Sequence, residues 1–138
     1  MAITKLQRLQ LKANIAQGGR CYYCDLPVWE DDPLTFARIH GIRPRLCPHL
    51  QCTAEHLIAR KDSGQDACEN IVAACHWCNS ERHRGREGNA PEPIAYTTWV
   101  RTQVEQSKWH PVLASQIARA GSRHNYSEER PGREARPI

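Results

Sequence analysis

Two Cys-x-x-Cys pairs, Cys21/Cys24 and Cys75/Cys78, constrain this chain more than any other feature of its 138 residues. The full count of seven cysteines is odd, which no fully paired disulfide framework can use. Two widely separated pairs are the spacing of a closed tetrahedral zinc site in a reducing compartment. A redox dithiol needs only one such pair. One structural Zn2+ held by the four thiolates is therefore expected, fastening the start of the chain to its middle. The composition suits a staple of that kind: with 25% of residues charged the apolar core must be small, and small cores gain most from a metal. Cys47, Cys52 and Cys68 remain over. With His40 and His49, the Cys47-Pro-His-Leu-Gln-Cys52 stretch offers a second zinc site, but free cysteine is commonly a small buried apolar residue, and that is the expectation here.

Residues 2–17 place Ile3, Leu6, Leu9 and Ile15 at helical spacing ahead of Gly18 and Gly19, predicting an amphipathic helix. Lys5, Arg8, Lys12 and Arg20 make residues 1–20 a basic segment without an acid. Residues 25–46 hold Pro27, Pro33 and Pro44 among acids and predict an irregular insert with at most one short strand. Residues 46–56 form a candidate strand, and 61–66 a turn-rich loop. Residues 69–84 read as a helix, with Ile71, Val72, Ala74 and Cys75 facing inward until Gly85, Gly88, Pro91 and Pro93 stop it. A second helical stretch covers 94–119, with Trp99, Val100, Val104, Trp109, Leu113 and Ile117 as apolar contributors and Pro111 dividing it. Trp77, Trp99 and Trp109 are expected to pack within the fold. The polar residues 121–138 are expected to be disordered. The domain reading is thus a basic N-terminal helix at 1–20, a core at 21–90, a helical extension at 91–120 and a tail at 121–138. No apolar run approaches the roughly 20 residues of a membrane span. The start, MAITKLQRLQLK, is too charged for a signal peptide, so no membrane partner and a cytoplasmic, intracellular location are expected.

The stretch 55–83 carries more chemistry than one zinc site needs. Glu55 is a candidate carboxylate ligand, and His56 beside it can act as general base on water, the task imidazole suits best near neutral pH. Asn70 sits where the loop enters the expected helix. Its amide can accept and donate at once, whether as a helix N-cap or in holding the loop and His56 in register. Asn79 and His83 are four apart and share a helix face, one turn beyond Cys75 and Cys78, so both can reach one ion. Thiolates suit zinc, whereas carboxylate, amide and imidazole with open positions suit a hydrolytic ion. The net charge of +4, with Arg82, Arg84 and Arg86 after the cysteines, suits a polyanionic partner.

Over residues 21–83 this pattern resembles the HNH endonucleases of the ββα-metal class. That family places an acid-His or His-His pair on its first strand, an Asn further on, and an Asn or His on the following helix; here these are Glu55-His56, Asn70 and Asn79. Many members carry two flanking CxxC pairs, the second running straight into the helix, as Cys75-His-Trp-Cys78-Asn79 does. His83 resembles the extra helix ligand of bacterial DNase toxins, and Arg60 and Gly64 resemble the family's basic residue and glycine after the catalytic His. Glu stands where Asp or His is commoner, and Asn where the family name has its last His.

The resemblance implies an α+β fold, a small zinc-stapled ββα-metal (HNH) core with flanking N- and C-terminal helices. It implies DNA phosphodiester hydrolysis with His56 as base, Asn70 orienting its loop, and one catalytic divalent metal on Glu55, Asn79 and His83. Mg2+ or Mn2+ is the favoured ion, and Ni2+, Co2+ or Zn2+ also fit the His83 donor. Arg60, Lys61, Arg82, Arg84 and Arg86 are the expected DNA contacts. The partner is DNA, with the protein a monomer or homodimer. The competing reading is a non-catalytic zinc-ribbon-like DNA-binding module, for which the four cysteines and basic ends would suffice.

Overall fold

The computed structural model of the protein describes residues 2–86 and 88–110. Helix α1 (Lys5–Ala16) opens on a capping box, in which the Thr4 hydroxyl accepts from the Gln7 N–H and the Gln7 side chain accepts from the Thr4 N–H; two of the helix's otherwise orphaned donors are satisfied at once. α1 lies along both strands of a two-stranded sheet. Gln17, just past its end, spans to β2, where its amide donates to the Ala73 carbonyl and accepts from the Ala73 N–H. The expected N-terminal helix is therefore present and closes the sheet's outer edge.

Strands β1 (Cys52–His56) and β2 (Ile71–Cys75) pair antiparallel, Cys52 opposite Cys75 and His56 opposite Ile71. Helix α3 (His76–His83) follows β2 without a break, so the segment 69–84, expected as one helix, is half strand. The correction has a physical cause. Ile71, Ala73, Ala74 and Cys75 are all buried, and a short apolar run buried on both faces has no periodicity to tell strand from helix. Beta-branched Ile71 and Val72 favour the strand. Asn70 consequently enters a strand and is no helix N-cap. Cys75 is itself the cap residue of α3, its sulfur accepting from the Cys78 N–H at 3.3 Å.

The strand expected over 46–56 is confined to β1, because Pro44 and Pro48 wind residues Pro44–Leu50 into 3-10 turns. The irregular insert contains helix α2 (Pro33–His40), begun by Asp32, whose carboxylate accepts from the Thr35 N–H, and ended by Gly41 at φ 65°. Helix α4 (Pro93–Glu105) stops well before residue 119, with Ser107 and His110 in the left-handed region. The expected helical residues 111–119 and tail 121–138 lie outside the described residues. No helix among the described residues is long and apolar enough to cross a membrane. The core gathers Tyr23, Leu50, Ala73, Ala74 and Val100 around the four CxxC cysteines. Trp109 is buried within it and Trp77 packs against it, while Trp99 stacks on Tyr96 and leaves its other side open.

Candidate active site and zinc staple

The sulfurs of Cys21, Cys24, Cys75 and Cys78 lie within 4.8 Å of one another, all buried. Backbone geometry prepares them. The Cys21 sulfur accepts N–H groups from Tyr23, Cys24 and Cys75 at 3.3–3.5 Å, and Cys75 accepts from Cys78. Burial opposes ionisation of Cys21, but hydrogen bonds from Cys24, Cys75 and Cys78 outweigh it and hold its thiol well below the usual range. Burial pushes the other three thiols up. Four converging soft donors fit a structural zinc ion, whose binding would displace the protons those thiols hold. Above the cluster, the Trp109 indole N–H donates to the Cys78 sulfur at 3.1 Å and the Tyr96 hydroxyl to the Cys78 carbonyl at 2.8 Å. Cys47 and Cys52 are buried singly and Cys68 is exposed. No second metal cluster forms among the described residues.

Glu55 sits on β1 with its carboxylate 2% exposed. Its Oε2 accepts from the Tyr23 hydroxyl at 2.8 Å and from Arg82 Nη1 at 2.6 Å, and its Oε1 lies 3.2 Å from His83 Nε2. The helical spacing thus brings His83 to Glu55. Asn79, one turn earlier on α3, turns its amide nitrogen to the Thr53 hydroxyl and the Ala54 carbonyl, one residue short of Glu55 along β1.

Arg82 is the departure from expectation. Expected at DNA, it is 3% exposed and donates to Glu55, to the carbonyls of His56 and Leu57, and twice to the Pro91 carbonyl. A guanidinium with its fork filled this way braces the end of β1 and does not reach a phosphate. Arg60, by contrast, is mostly exposed and pairs with Asp66. Arg84 pairs with Glu81, and Arg86 donates to the Glu81 and Arg82 carbonyls. Lys61 is exposed.

His56 ends β1, and its ring meets Asp66, Nε2 to Oδ1 at 2.8 Å. The hydrogen bond to His56, then Arg60, holds the Asp66 carboxyl below its usual range. Asp66 escaped the sequence reading because nothing separates it from Asp62 in the same turn-rich loop. Tyr23 escaped it as one of two aromatic residues filling the knuckle. Asn70 clasps the loop: its Oδ1 accepts from the Ile58 N–H at 2.8 Å, and its Nδ2 donates to the Ile58 and Gln65 carbonyls at 3.0 Å. Gly64 permits this closure, since a Cβ there would stand 1.7 Å from the Ile58 carbonyl oxygen. A pocket of about 190 Å3 opens beside His83, walled by Leu57, Ile58, Arg82 and Pro91.

A strand, an Asn-clasped loop, a second strand and a helix, stapled by four cysteines, therefore converge on one acid. Residues 21–85 match the family model described as HNH endonuclease. The chain carries an HNH endonuclease domain. The matched span begins at the first cysteine of the cluster and ends two residues past His83, so the HNH region holds the whole staple and every residue of the Glu55 cluster. No curated protein and no solved structure matches the chain.

Proposed function

We propose that the protein is a metal-dependent HNH endonuclease that hydrolyses DNA phosphodiester bonds. The observation that carries this reading is the meeting of Glu55 Oε1 and His83 Nε2 at 3.2 Å, across β1 and α3, inside the HNH domain. A buried carboxylate meeting an imidazole that lines a small pocket, with Asn79 one helical turn away, suits a hard or borderline divalent ion, Mg2+ or Mn2+ above all. Such an ion, when bound, would polarise the scissile phosphate and stabilise the leaving 3′ oxygen.

The remaining chemistry belongs to the chain. His56 takes the proton from the attacking water; with Asp66 on Nε2, its Nδ1 is the nitrogen left for that transfer in this arrangement. Asn70 holds the loop that carries His56's partner. Arg60, Lys61, Arg84 and Arg86 supply the exposed cationic rim for the DNA backbone. The products on this reading carry 5′-phosphate and 3′-hydroxyl ends, and the protein acts as a monomer or homodimer.

Incubation with supercoiled plasmid and Mg2+ or Mn2+ should nick or linearise it, and EDTA should stop the reaction. His56→Ala should abolish cleavage while zinc content and the circular dichroism spectrum stay unchanged. Full activity in that variant removes the assignment of the base. Absence of metal-dependent cleavage on plain and modified DNA, with DNA binding retained, would favour a zinc-ribbon-like binding module instead.

A further inference from the structure

One buried hydroxyl links the four-cysteine knuckle to Glu55. Tyr23 lies between Cys21 and Cys24 in the zinc knuckle, fully buried. Its ring packs edge-on against Tyr96 of α4 at 4.9 Å, and its carbonyl accepts from Arg101 of the same helix. The phenol is thereby pointed at one atom, Oε2 of Glu55.

The two oxygens of Glu55 are therefore not equivalent. Oε2 accepts from Tyr23 at 2.8 Å and Arg82 at 2.6 Å, which fills the two lone pairs of a carboxylate oxygen. Among the described residues, Oε1 has His83 as its one hydrogen-bond neighbour. We propose that Tyr23 is a positioning residue of the HNH site: with Arg82 it locks the Glu55 carboxylate so that Oε1 alone is presented to a divalent ion beside His83. Glu55 is then a one-oxygen ligand whose orientation is set by the zinc knuckle, and the structural metal prepares the catalytic one through a single side chain. This rests on the reading of Glu55 as a metal ligand. Partners that orient a metal-bound carboxylate typically govern affinity by about 10–100-fold.

The test is Mn2+ binding to the zinc-loaded protein without DNA, followed by calorimetry and by the Mn2+ electron paramagnetic resonance signal. Mn2+ is a hard ion and leaves the four-thiolate site to zinc. Tyr23→Phe keeps the ring and removes only the hydroxyl. It should weaken Mn2+ binding about tenfold or more, with one zinc per chain and an unchanged melting temperature. Glu55→Gln should abolish the same binding. Mn2+ affinity in Tyr23→Phe equal to the parent's, while Glu55→Gln still loses it, overturns the role of Tyr23 alone. Parent-like binding in Glu55→Gln overturns the ligand assignment and this proposal together. A Tyr23→Phe protein that sheds zinc or melts early makes the hydroxyl part of the scaffold, and also overturns it.

Discussion

Asn70 closes a loop with one side chain, using an acceptor and two donors that no other residue type offers in that shape. Asn70→Ala leaves one N–H and two carbonyls of that loop without their partner, at a cost of about 1–3 kcal/mol for each group that stays dry. The expected outcome is faster hydrogen exchange across 57–66 and a large loss of cleavage, with exchange in α1 unchanged; mass-spectrometric exchange reads both. Glu55 and Arg82 set a different kind of constraint. Both are almost wholly buried, so each makes the other's charge tolerable, and removal of either alone would strand the survivor. That is why Arg82, the most sheltered arginine among the described residues, lies beneath the site and not at its surface.

Helix α2 shows how an element can be marked by its ends. Asp32 caps it, Pro33 takes the first-turn position where the missing N–H costs nothing, and Gly41 accepts the left-handed turn that closes it. Asp32→Ala should lower the denaturation midpoint by removing the cap, while zinc content and plasmid cleavage stay at the parent level, because α2 carries none of the site residues. These end signals were available in the sequence, but Pro27, Pro33 and Pro44 read together as breakers and hid them. The β2–α3 junction was hidden differently: Ile-Val-Ala-Ala-Cys is buried along nearly its whole length, and only its pairing with β1 reveals the strand. The cysteine staple and the Glu55–His83 meeting were legible because ligand chemistry dictates spacing, and Asn70 because its amide both accepts and donates. Asp66, Tyr23 and the burial of Arg82 were not, since each depends on how separate elements pack.

At the scale of the molecule, the sheet, α3 and α4 share a core built round the four buried cysteines of the staple. Three of those thiols are pushed up by burial in the metal-free state, so loading must expel their protons. The sign follows directly: a group with a raised folded value is protonated at neutral pH, and zinc affinity climbs as pH rises. Each proton expelled contributes about a tenfold gain per pH unit, and competition against a chelator between pH 6 and 8 should show a slope steeper than one proton. Chelation at any pH in that range should unfold the described domain as a unit, seen by circular dichroism. The indole of Trp109, resting on the Cys78 sulfur at 3.1 Å, gives this core an optical voice. Cobalt in the same tetrahedral sulfur cage absorbs where tryptophan emits, so exchanging zinc for cobalt should darken the fluorescence of an otherwise unchanged fold. Trp109→Phe should blunt that response, and the protein would then report on the occupancy of its own keystone by its glow alone.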